Sequence, residues 1–183
     1  MHLILRKSVN ARAGFTLTEL MAVVIIIALL AGLATGSYKK AVERSRFADG
    51  LSAASTIMSA VERYYADHMN ATDARRPKKD RLDISFANVK TCSAEADYCY
   101  KTKYFETTIY NGYTQAVRRK GSSTGDYALR VYSSLFGNNT RHEPDCRAHN
   151  KMGFDLCVSM GYSSCSPATS SSCSVTSPCV CSR

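Results

Sequence analysis

An apolar run from residue 15 to residue 34, behind a short basic leader, constrains this chain more than any other feature. Twenty residues of helix reach ~30 Å, the thickness of a bilayer's hydrocarbon core. A secretory signal peptide carries its small-residue junction after the apolar segment. Here the junction, Ala13-Gly14, precedes it, so a cut there would remove the charged leader and leave the apolar helix on the mature chain. The segment also contains a carboxylate, Glu19, in its first turns. A charge at the bilayer centre costs on the order of 3 kcal/mol, and less near an interface. Glu19 therefore reads as a functional residue that needs a positive partner. Cleavage after Gly14 would create one, the α-amine of Phe15.

The run Gly14-Phe15-Thr16-Leu17-Thr18-Glu19-Leu20-Met21 resembles the processing site of type IV pilins and type II secretion pseudopilins. The resemblance implies a cut between Gly14 and Phe15 by a membrane peptidase that also N-methylates Phe15. It implies that Glu19 pairs with the Phe15 amine of a neighbouring subunit during filament assembly. It further implies an inner-membrane assembly platform, self-association into a helical filament with other pilins or pseudopilins, and no enzymatic activity. The other reading of these residues, an uncleaved signal anchor, leaves Glu19 without a reason. Many family members carry proline where this chain has Gly36. Gly32 and Gly36 each weaken a helix by about 1 kcal/mol relative to alanine, which would help a helix that bends or partly melts on packing. Small residues also simply let helices approach closely.

The helix continues beyond the apolar run. Phe47, Leu51, Ala54, Met58, Val61 and Tyr65 recur at steps of four and three, one stripe of an α-helix. No proline interrupts residues 15–76, and the pattern predicts one helix over roughly 15–69, closing near Asn70-Ala71-Thr72-Asp73. Lys39 and Glu43, four apart, are expected to pair on its exposed face. Residues 71–103 read as a connection. Within it Leu82, Ile84 and Phe86 alternate as a short strand or a pinned loop.

Three strands follow, over 103–110, 113–120 and 127–135. Asn111-Gly112 is a strong hairpin turn, and Gly121 to Asp126 is a second turn. Phe105, Thr107 and Ile109 share one side of the first strand, and in the second Ala116 and Arg118 face opposite to Val117 and Arg119. The expected fold is α+β: a long N-terminal helix packed on a small antiparallel sheet, with a disulfide-rich C-terminal region. The parts would be a leader at 1–14, a membrane or filament-core helix at 15–36, its amphipathic continuation at 37–69, a globular head at 70–162 and a Ser/Cys-rich tail at 163–183. Residues 151–160 read as a short helix tied down by Cys146 or Cys165. The resemblance implies the same order of elements.

All eight cysteines, Cys92, Cys99, Cys146, Cys157, Cys165, Cys173, Cys179 and Cys181, lie beyond residue 90. That number in 183 residues fits an oxidising compartment and a topology with the N-terminus cytoplasmic and the head exported. Structural disulfides are the first reading, with Cys92–Cys99, Cys146–Cys157 and the last four paired among themselves. Cys179 and Cys181 are too close to pair with each other easily. The tail spacings do not match the paired CxxC pattern of structural zinc, and no CxxC supports redox catalysis. His142 and His149 flank Glu143, Asp145 and Cys146, but an exposed polar loop is the simpler meaning, and neither metal nor cofactor is expected.

The formal charge is +9, and loss of the leader's Arg6, Lys7 and Arg12 would leave about +6. The excess clusters at Arg75, Arg76, Lys78, Lys79 and Arg81, and at Arg118, Arg119 and Lys120. Such clusters can hold nucleic-acid phosphates, although solvated loops are the commoner meaning. No glycine-rich phosphate loop, HExxH or GxSxG occurs. Asn70-Ala71-Thr72 and Asn138-Asn139-Thr140 fit the glycosylation pattern, and the Ser/Thr tail could carry O-glycans. A surface pilus subunit is the leading expectation. A periplasmic pseudopilin and a minor pilin whose basic loops bind DNA or a surface are the alternatives.

Overall fold

The computed structural model describes residues 14–86, 92, 95–121, 123–136 and 143–183. The first helix, α1 (Leu17–Asp67), spans 51 residues, stopping two residues short of the expected end. The chain divides into two compact units, residues 1–42 and 43–183. In the first, Leu17, Leu20, Met21, Val24, Ile27 and Leu30 are all exposed. No single helix among the described residues is long and apolar enough to cross a membrane. The consecutive stretches Leu17–Gly32 and Ala34–Asp67 meet that requirement together, by length and composition.

The second unit contains the whole buried core. Its sheet has seven strands, all antiparallel: β1 (Cys99–Lys101), β2 (Phe105–Tyr110), β3 (Tyr113–Lys120), β4 (Ser123–Tyr132), β5 (Asp145–Ala148), β6 (Ser164–Ser166) and β7 (Cys179–Ser182). They lie in the order β1-β2-β3-β4-β5-β7-β6. The meander read from the sequence is thus the middle of a wider sheet. Gly112 (φ 88°) and Gly121 (φ 63°) make its turns in the left-handed region that glycine adopts without penalty. The third strand spans Ser123–Tyr132 rather than 127–135, because Ser123 already pairs with Lys120 and Thr124 with Arg119. Residues 82–86 form no strand. Leu82 is buried, and Ile84 and Phe86 pack against the core, so this segment is the pinned loop.

The helical stripe meets the sheet as its periodicity predicts. Phe47, Ala54, Ile57, Met58 and Val61 are buried with Phe105, Ile109, Ala116, Tyr127 and Leu129. Full burial of side chains such as Ile57 or Leu129 contributes roughly 1.5–3 kcal/mol each. Phe47 stacks on Tyr127 at 5.5 Å. Gly50 is essential to the fit, since a Cβ there would lie 2.6 Å from the Phe105 ring. Thr114, on the core-facing side of β3, donates its hydroxyl to the Ala54 carbonyl at 3.0 Å. Glu62 accepts from both Ser133 and Ser134, fixing the end of β4 to the helix.

The helix α2 (Lys151–Ser159) is capped by Asn150, whose side chain accepts from the Gly153 amide at 2.9 Å and donates to Asp126 at 2.7 Å. The tail is Ser-rich, yet it enters the sheet as β6 and β7.

Candidate functional site

The expected cleavage junction lies outside regular structure among the described residues. Gly14, Phe15 and Thr16 precede the helix, no heavy atom crowds the position of a Cβ on Gly14, and Phe15 is 87% exposed. Just inside the junction Thr16 and Glu19 form a capping box. The Glu19 carboxylate accepts from the Thr16 amide (2.9 Å) and hydroxyl (2.8 Å), and the Thr16 hydroxyl oxygen accepts from the Glu19 amide (3.3 Å). Reciprocal bonds of this kind satisfy otherwise free donors at a helix start. The sequence reading missed Thr16, although Thr followed three residues later by Glu is the signature. The leader residues 1–13, including His2, Arg6, Lys7 and Arg12, lie outside the described residues.

The eight cysteines form four disulfides: Cys92–Cys99, Cys146–Cys157, Cys165–Cys181 and Cys173–Cys179. Cys146–Cys157 ties α2 to β5. Cys165–Cys181 links facing residues of β6 and β7, and Cys173–Cys179 closes the loop that leads into β7. Cys92, Cys99 and the Glu106 carboxylate lie close together, but both sulfurs are consumed in the disulfide. His149 is buried, with Nδ1 bonded to the Gly125 carbonyl at 2.9 Å. His142, the Asn138-Asn139-Thr140 sequon and Gly137 lie outside the described residues.

Six of the eight cations in the basic clusters are paired with acids within the fold. Arg76 meets Glu95 at 2.6 Å, Lys78 meets Asp97 at 2.9 Å, and Arg81 meets Asp73 at 2.6 Å. Arg76 also donates to the Ile109 carbonyl and lies over the Tyr98 ring, so the first cluster staples the connection to the sheet. In the second, Arg119 faces Glu106, Lys120 meets Asp126, and Arg118 turns inward onto Glu43 at 2.5 Å. Glu43 was expected to pair with Lys39, its neighbour one turn back. It is taken instead by Arg118, by Arg46 at 2.9 Å and by the Tyr127 hydroxyl at 3.3 Å. Burial pushes the Glu43 carboxyl up, but the Arg118 and Arg46 guanidinium groups outweigh it and hold it below the ordinary carboxylate range. Asp126 is lowered in the same way, burial being outweighed by Lys120 and Asn150.

The family profile for the prokaryotic N-terminal methylation motif matches residues 9–35. Two fimbrial proteins of Pseudomonas aeruginosa are each 31% identical over 116 residues, covering 63% of this chain and 73% of theirs. The fimbrial protein EcpC of Eikenella corrodens is 43% identical over 58 residues, covering 32% of this chain and 38% of its own. No solved structure matches.

Proposed function

The chain belongs to the type IV pilin family of fimbrial proteins, and we propose that it is a surface pilus subunit, cut between Gly14 and Phe15, methylated on Phe15 and assembled from the inner membrane. Membership makes it a structural protein rather than an enzyme, processed by a prepilin peptidase and built into a filament. The observation that carries the finer reading is the apolar surface of residues 17–30. Every large apolar side chain there is exposed in the single chain. Burial of such surface contributes roughly 25 cal/mol per Å², first against lipid and then against neighbouring stems. The four disulfides suit a head that works outside the cell, where no reducing pool maintains thiols.

Glu19 sets register in this reading. Its carboxylate exchanges the Thr16 donors for the Phe15 amine of the next subunit, a charge-assisted bond of about twice the strength of a neutral one. The relatives are fimbrial proteins, which favours the surface pilus over the periplasmic pseudopilus. The internal pairing of the basic loops weighs against a nucleic-acid receptor. Glu19→Ala tests the proposal: it should leave cleavage intact and abolish piliation, and normal filament yield would remove the role of Glu19.

A further inference from the structure

We propose that the end of the head at which α1 enters, formed by Arg44, Arg46, Lys103 and Tyr104, docks on anionic phospholipid headgroups while the subunit waits in the membrane. This inference rests on the membrane reading given above. The packing within the head sets the position of the patch. Phe105 lies against Gly50 and Arg118 against Glu43, so the turn before β2 falls beside the first helical residues of the head. Arg46 lies 4.4 Å from the Tyr104 ring centre, Arg118 5.3 Å and the Lys103 ammonium 5.2 Å. Arg44 and Lys103 are exposed and have no ion pair among the described residues. Glu43 is the one acid within residues 43–46 and 103–104, and Arg118 and Arg46 already engage it. The patch therefore carries unspent positive charge around a tyrosine, the pairing that membrane interfaces favour.

Chain length supports lipid as the occupant. Arg44 follows Gly36 by eight residues, a contour of ~12 Å as helix. The headgroup layer adds ~5–7 Å beyond the hydrocarbon on each side, and the arginine side chain spans the remaining distance. In the other basic cluster, at residues 75–81, three of the five cations, Arg76, Lys78 and Arg81, are held by Glu95, Asp97 and Asp73.

The test uses the mature full-length chain, one copy per lipid nanodisc, made with either phosphatidylglycerol or phosphatidylcholine. Lysine acetylation rates are read by peptide mass spectrometry. At about 1 kcal/mol per basic residue near an anionic surface, Lys103 should react about fivefold more slowly in phosphatidylglycerol. The protection should vanish at 1 M salt, where the screening length is about 3 Å, and should shrink in Arg44→Gln. Lys151, whose side chain is 77% exposed on α2, should react equally in both discs. Equal Lys103 rates in the two lipids would overturn the docking proposal. A chain that fails to enter either disc would overturn the membrane reading itself, and this inference with it.

Discussion

Arg118→Met separates the electrostatic account of the head from a purely hydrophobic one. Arg118 is 5% exposed, and its guanidinium donates to Glu43 at 2.5 and 3.2 Å, to the Tyr104 carbonyl at 3.2 Å and to the Arg119 carbonyl. Methionine keeps much of the volume and removes every donor. Breaking a buried ion pair from one side costs about 3–5 kcal/mol. Glu43 is 22% exposed and would keep Arg46 and Tyr127, so the expected cost is about 2–3 kcal/mol. For a domain of this size that lowers Tm by roughly 6–12 °C, read by near-ultraviolet circular dichroism of the mature chain in detergent with its disulfides intact.

The pH dependence carries the sign. The native Glu43 carboxyl lies below its unfolded value, so its contribution is complete above ordinary carboxylate pH, ~4.3. It is lost as pH falls through the depressed native value. The deficit of Arg118→Met should therefore be largest near neutrality and shrink below about pH 4. A Tm within about 2 °C of wild type at pH 7, or a deficit that grows on acidification, would refute the reasoning.

Three further outcomes follow from the packing. Cys146→Ala with Cys157→Ala should cost about 3 kcal/mol in the chain-entropy model and free α2, seen as faster protease cutting after Lys151. Gly50→Leu should drive a side chain into the Phe105 ring and cost at least about 1–3 kcal/mol, measured by chemical unfolding. Thr114→Val should remove the bond to the Ala54 carbonyl and cost about 1 kcal/mol by the same method, leaving processing after Gly14 untouched.

The helix and the central meander were legible because their signals are local. The stripe from Phe47 to Val61 declares its period within four turns, and Asn111-Gly112 marks its own hairpin. The outer strands were not legible. β6 and β7 are built from Ser164 to Ser166 and Cys179 to Ser182, which carry little strand propensity. What holds them is the pairing of β7 to β5 and of β6 to β7, with two disulfides, all set by the tertiary fold. Glu43 illustrates the same limit: its nearest cation in sequence is Lys39, but its partner comes from 75 residues away in β3. The Arg118–Lys120 cluster looked like a solvated loop, yet Arg118 faces the core at a point where the β3–β4 register shifts. The Thr16–Glu19 box is also local, since Thr followed three residues later by Glu carries the capping signature in the sequence itself.

The central claim is that a prepilin cut after Gly14 becomes a filament subunit. Peptide mass spectrometry of sheared surface filaments, beside the cell-envelope fraction, tests it most directly. The account predicts an abundant sheared-fraction peptide that begins at N-methylated Phe15. An intact Met1 leader in both fractions would contradict it.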